Sequence, residues 1–111
     1  MNRASRYREV IQQVIEESAA TLSQGNDVAI LPVRDPTHGQ YLLISLGWYQ
    51  RHHEHAIVFH AQLRGTRILI EMDGTEEGIA NFLVEAGIED TDIELAWARH
   101  RHAENQASIA A

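Results

Sequence analysis

Apolar residues alternate through the middle of this chain, and the alternation predicts a sheet. Between Gln40 and Asp73, Leu42, Ile44, Leu46 and Trp48 share one parity, and Tyr41, Leu43, Ser45, Gly47 and Tyr49 share the other. The same period of two returns in Ile57, Phe59, Ala61 and Leu63, then in Ile68, Ile70 and Met72. Strand side chains alternate between faces, so each set forms a row on one side. Three consecutive strands are predicted, with Gln50-Arg51-His52-His53-Glu54 as the first loop and Arg64-Gly65-Thr66-Arg67 as the second. Gly65-Thr66 suits a type II′ hairpin, because glycine enters positive φ without steric cost. The expected core rows are Leu42, Ile44, Leu46 and Trp48; Ile57, Phe59 and Leu63; Ile68 and Ile70; and Ile93, Leu95 and Trp97 of a last strand.

The flanking segments supply the rest. From Ser5 to about Gln24, Tyr7, Val10, Ile11, Val14, Ile15, Ser18 and Leu22 recur at helical spacing, with Glu9, Gln12, Gln13, Glu16 and Glu17 off that stripe. Ser5 is the expected N-cap and Gly25 the expected stop. Val28 to Val33 reads as a strand, and its Pro32 places it at an edge or a bulge. Asp35-Pro36-Thr37-His38-Gly39 is a turn. Thr75 is the expected N-cap of a second helix, Glu76 to Ala86, with Glu76 and Glu77 at the positive end of its dipole. The order α-β-β-β-β-α-β predicts a two-layer α+β fold: an antiparallel sheet of about five strands with two helices on one face. Its 111 residues suit one domain.

Charge and composition narrow the function classes. The net charge is −7, and all nine basic residues are arginine. A DNA-gripping protein usually carries a basic face, so direct nucleic-acid binding is not expected. There are no cysteines, which removes disulfides and thiolate chemistry. No apolar run reaches the ~18 residues of a membrane span, and the N-terminus lacks a signal-peptide segment. A cytoplasmic location is expected.

Histidines and carboxylates are the candidates for chemistry. His52, His53, His55 and His60 lie within nine residues, and His100 and His102 follow in the tail. His53 and His55 share a parity, as do His100 and His102, so a four-imidazole metal site is an alternative reading, as a metal-binding protein or small metal-dependent enzyme. No zinc-finger or helical His spacing supports it, and solvated loop histidines are expected instead. Glu71 with Asp73, Glu76 with Glu77, and Asp90 with Asp92 each have a structural account. No nucleophile, phosphate loop or cofactor motif accompanies them. No catalytic residue, metal or cofactor is therefore expected.

The ordered motifs resemble one family. Tyr7-Arg8-Glu9-Val10-Ile11, Gln40-Tyr41-Leu42-Leu43 leading to Leu46-Gly47-Trp48, and Arg67-Ile68-Leu69-Ile70-Glu71 carry the first part. Asp73-Gly74-Thr75-Glu76, Ile79-Ala80, Leu83-Val84-Glu85-Ala86-Gly87-Ile88 and Asp92-Ile93 complete it. In this order they resemble the XisI proteins, the fdxN-element excision controlling factors. The resemblance implies a small α+β protein acting with a XisH-like partner of nuclease-type fold, in control of site-specific excision of a DNA element. It implies neither recombinase activity nor catalytic residues. The tail, Ala98-Arg99-His100-Arg101-His102, departs from the family's His-Pro turn and aromatic ending.

Two helices cannot cover both faces of such a sheet. The uncovered face is expected to bind a partner or a second copy. Alternation assigns Tyr41, Leu43, Tyr49 and Val58 to it, with Arg51 and Arg67 as its rim.

Overall fold

A computed structural model describes residues 2–25 and 27–98. The His100 and His102 pair, and the tail from Arg99 as a whole, lie outside the described residues. The chain opens on helix α1, Arg3–Ser23, followed by strands β1 (Val28–Asp35), β2 (Gln40–Tyr49), β3 (His52–Arg64) and β4 (Arg67–Asp73). Helix α2, Ile79–Glu85, a 3-10 turn at Asp90–Asp92 and strand β5, Ile93–Leu95, complete it. The α+β class and the element order are those expected.

The strands stand in chain order, β1-β2-β3-β4-β5. The first four pair antiparallel through tight connections. β5 joins β4 in parallel, which departs from the all-antiparallel expectation. The cause is the connection: α2 carries the chain back along the sheet, so the next strand runs the same way as β4. Pro32 lies in the edge strand β1, where its missing donor matters least. At the β3–β4 turn Gly65 takes φ +61, as a Gly-X loop requires. Gly39 has φ +66, and a Cβ there would strike the backbone carbonyl oxygen of Leu63. Its own carbonyl accepts the Leu63 N–H at 2.8 Å, which fastens the β1–β2 turn to β3.

Both helices pack on one face of the sheet. Tyr7, Ile11, Val14, Ile15 and Ala19 of α1, with Ile79 and Leu83 of α2, meet Tyr41, Leu43, Phe59, Ala61, Ile68 and Ile70 in one core. Of the predicted α1 stripe, Tyr7, Ile11, Val14 and Ile15 are buried, Val10 and Ser18 are half-buried and Leu22 is exposed. The helix starts are not those predicted. Asn2, not Ser5, caps α1: its Oδ1 accepts the Ser5 N–H at 2.8 Å. α2 begins at Ile79 rather than Glu76. Gly78, at φ +81, interrupts the helical path, and Asp73 Oδ2 reaches forward to accept the Ile79 N–H at 2.6 Å.

Tyr7 ties α1 to the segment between α2 and β5. Its hydroxyl donates to Asp92 Oδ2 at 2.6 Å and accepts the Glu89 N–H at 3.1 Å. Arg3 lies 3.6 Å from the same carboxylate.

Candidate partner interface

The rows of β2 face opposite ways from those expected. Tyr41 and Leu43 are completely buried under the helices and Ser45 nearly so. Leu42, Ile44, Leu46 and Trp48 stand on the open face, with Trp48 59% exposed. The neighbouring strand β3 divides between the same two faces, with a break in its alternation. The β2–β3 register shifts between Leu43 and Ile44: Leu43 faces Phe59, Ile44 faces Ile57, and Val58 is the extra residue. Such a bulge reverses the parity of everything before it. Phe59 and Ala61 point into the core, whereas Ile57, His55 and His53 point out with Ile44, Leu46 and Trp48.

Four of the six expected interface residues are displaced by this reversal or by position. Tyr41 and Leu43 are core residues and cannot touch a partner without unfolding. Val58 packs against the core from the bulge. Tyr49 is 58% exposed, but its parity puts it on the helix side, beside Leu22, Val28 and Ile30. Arg51 is exposed at the β2–β3 turn, and Arg67 is exposed at the other end of β3, where it pairs with Glu94. Among the expected core rows, Phe59, Ile68 and Ile70 are buried. Ile57, Leu95 and Trp97 are exposed, and Trp97 lies past the end of β5 in a helical turn.

The open face carries adjoining apolar side chains with histidines among them. Across the sheet, Leu31 pairs with Ile44 and Ile44 with Ile57; Val33 pairs with Leu42, and Leu42 with His60. Met72 follows beyond His60. Residues paired directly across strands share a face, so these form adjoining rows. Leu31, Val33, Ile57 and Met72 are each more than a third exposed. One flank is polar: His60 Nε2 lies 2.7 Å from Gln40 Oε1, and Gln62 donates to Glu71 at 2.7 Å.

The histidines do not gather as ligands. His52 and His53 belong to β3 rather than to a loop, because the β2–β3 connection is only Gln50 and Arg51. His53 stacks on Trp48 with ring centres 4.8 Å apart, and His55 stands 6.4 Å beyond. His52 turns to the other side, toward Glu54 at 3.3 Å. Among the described residues no group of three or more His, Cys, Asp or Glu side chains is placed to hold a metal ion. No described helix is long and apolar enough to cross a membrane.

The sequence profile described as "XisI protein" matches residues 1–107. This chain belongs to the XisI family. Among solved structures, it is similar to the fdxN element excision controlling factor XisI from Anabaena variabilis, with 29% identity, 83% of this chain and 89% of that chain covered, and a TM-score of 0.65. It shares its fold with a XisI-like protein from the same organism, with 21% identity, 81% and 83% of the two chains covered, and a TM-score of 0.71. No curated protein matches the chain.

Proposed function

We propose that this XisI-family chain is a regulatory partner protein without chemistry of its own. It acts by holding a XisH-like protein of nuclease-type fold, in control of the excision of a DNA element. The open sheet face carries this reading. Side chains such as Leu31, Ile57 and Met72 would be costly to leave in water without a purpose. The face also has room. Ten residues of β2 span ~33 Å, and four strands span ~19 Å. The flat footprint of ~600 Å² approaches the ~800 Å² per partner of a standard interface. The acidic balance of the chain suits a partner with basic surface, since complementary charge speeds encounter and excludes wrong partners. A cytoplasmic setting is part of the same reading.

The test is co-expression of the tagged chain with a XisH-like protein. The wild-type chain captures it; Ile57→Asp reduces capture at least about tenfold while its circular dichroism and melting stay unchanged. Light scattering on the same samples separates a second copy from a different partner. Failure of the wild type to capture any XisH-like protein would remove the reading. Equal capture by Ile57→Asp and Leu31→Asp would keep the partner but move it to another surface.

A further inference from the structure

The helix layer carries a second surface built from other residues. A groove between α1 and α2 holds two hollows of about 340 and 220 Å³ that share one side chain, Phe82, and a third of about 470 Å³, lined by α2 and its flanking residues with none from α1, adjoins them there. Phe82 is 36% exposed, although Ile79 and Leu83 of the same helix are buried. Val14, Thr21 and Leu22 of α1 face it across the groove. This is a half-open apolar cleft with an aromatic ring at its centre.

Its rim has one sign of charge. Glu17 and Glu85 border the first hollow, and Glu76 and Glu77 the second. Among the described residues, no arginine or histidine lines any of the three. Among the described residues, none of these four glutamates is in an ion pair. The sequence explains the excess: from Gly74 to Asp92 there are six acidic residues and no basic one. Like-charged carboxylates around an apolar cleft repel one another, and they repel nucleic acid. A cationic chain relieves that repulsion as it enters. Arginine fits best, because its aliphatic stem packs on apolar surface and its guanidinium stacks on an aromatic face.

We propose that the α1–α2 groove docks a basic amphipathic segment of a partner protein. Arginine or lysine side chains meet Glu17, Glu76, Glu77 and Glu85, and an apolar side chain packs on Phe82. The proposal does not depend on the sheet-face reading, since it uses none of the same residues. It makes the protein two-sided, with an apolar face on one layer and an acidic cleft on the other.

A direct test titrates the full chain with a labelled amphipathic peptide carrying arginines on one helical face and leucines on the other. A peptide with glutamate in place of arginine is the control. The basic peptide should bind and the acidic one should not, with affinity falling as salt is raised. Phe82→Ala, and separately Glu77→Gln with Glu85→Gln, should each weaken binding about tenfold, or about 1.4 kcal/mol. Ile57→Asp on the sheet face should leave it unchanged. The proposal is overturned if neither groove variant weakens binding, or if no basic peptide binds at about millimolar concentration. A concentration-dependent dimer lost in Phe82→Ala would assign the groove to a second copy instead. Tighter peptide binding by Arg99→Gln with Arg101→Gln would assign it to the chain's own C-terminal segment. Either outcome displaces the proposed occupant.

Discussion

At the scale of the residue, the bulge at Val58 decides which side chains form the core. Phe59 is fully buried, and Ile57, two residues earlier, is 43% exposed. Phe59→Ala should cost about 3–5 kcal/mol, as buried aromatics do. Ile57→Ala should cost less than about 1 kcal/mol. Denaturant melts of the two variants check the assignment, and similar losses would count against it. The alternation of Ile57, Phe59, Ala61 and Leu63 was legible in the sequence; the extra residue that breaks it was not. A bulge is set by how two strands fit, and no local signal at Val58 announces it. A second signal was present. Across the hairpin, His53 and His55 face Trp48 and Leu46, so the polar side chains mark that row of β2 as the open one. Because β2 is apolar on both parities, only its partners could say which row goes inside.

At the scale of the element, types and order were legible because long periodic runs and glycine-marked turns are local properties. The helix starts were not. Asp73 caps α2 from six residues upstream, and Asn2 lies before the apolar stripe that marks α1. Such caps depend on where the chain bends, not on the helical period. The contact between α1 and the α2–β5 connection yields a prediction. Tyr7→Phe keeps the ring but removes its bonds to Asp92 and Glu89, so it should cost about 1–3 kcal/mol. Burial, and then the hydrogen bond to Asp92, push the Tyr7 hydroxyl above its ordinary value. Burial does the same to Tyr41. In the unfolded chain both phenols ionise near pH 10. Their raised values stabilise the folded form below that pH, and the gain disappears as pH rises through the folded values. Stability should therefore fall on the alkaline side, and less steeply in Tyr7→Phe. Melts between about pH 8 and 11 measure both slopes.

At the scale of the whole molecule, charge and shape divide the work. The two-layer plan leaves one sheet face open, and that much could be argued from two helices and five strands alone. Which residues occupy the face could not. The net charge of −7 predicts no complex with duplex DNA in a gel shift at low salt, the condition that most favours phosphate contacts. A shift at micromolar protein would sink that expectation. The Tyr7 clasp bears on how the molecule is made. Its partners lie 85 and 82 residues further along the chain. During synthesis at roughly 5–20 residues per second, Tyr7 leaves the ribosome several seconds before Asp92. A nascent chain can form α1 and the first hairpins in that interval, but the phenol has no Asp92 to accept its proton and no Glu89 amide to cap it. Helix α1 thus gains this clasp only once the turn before β5 has emerged.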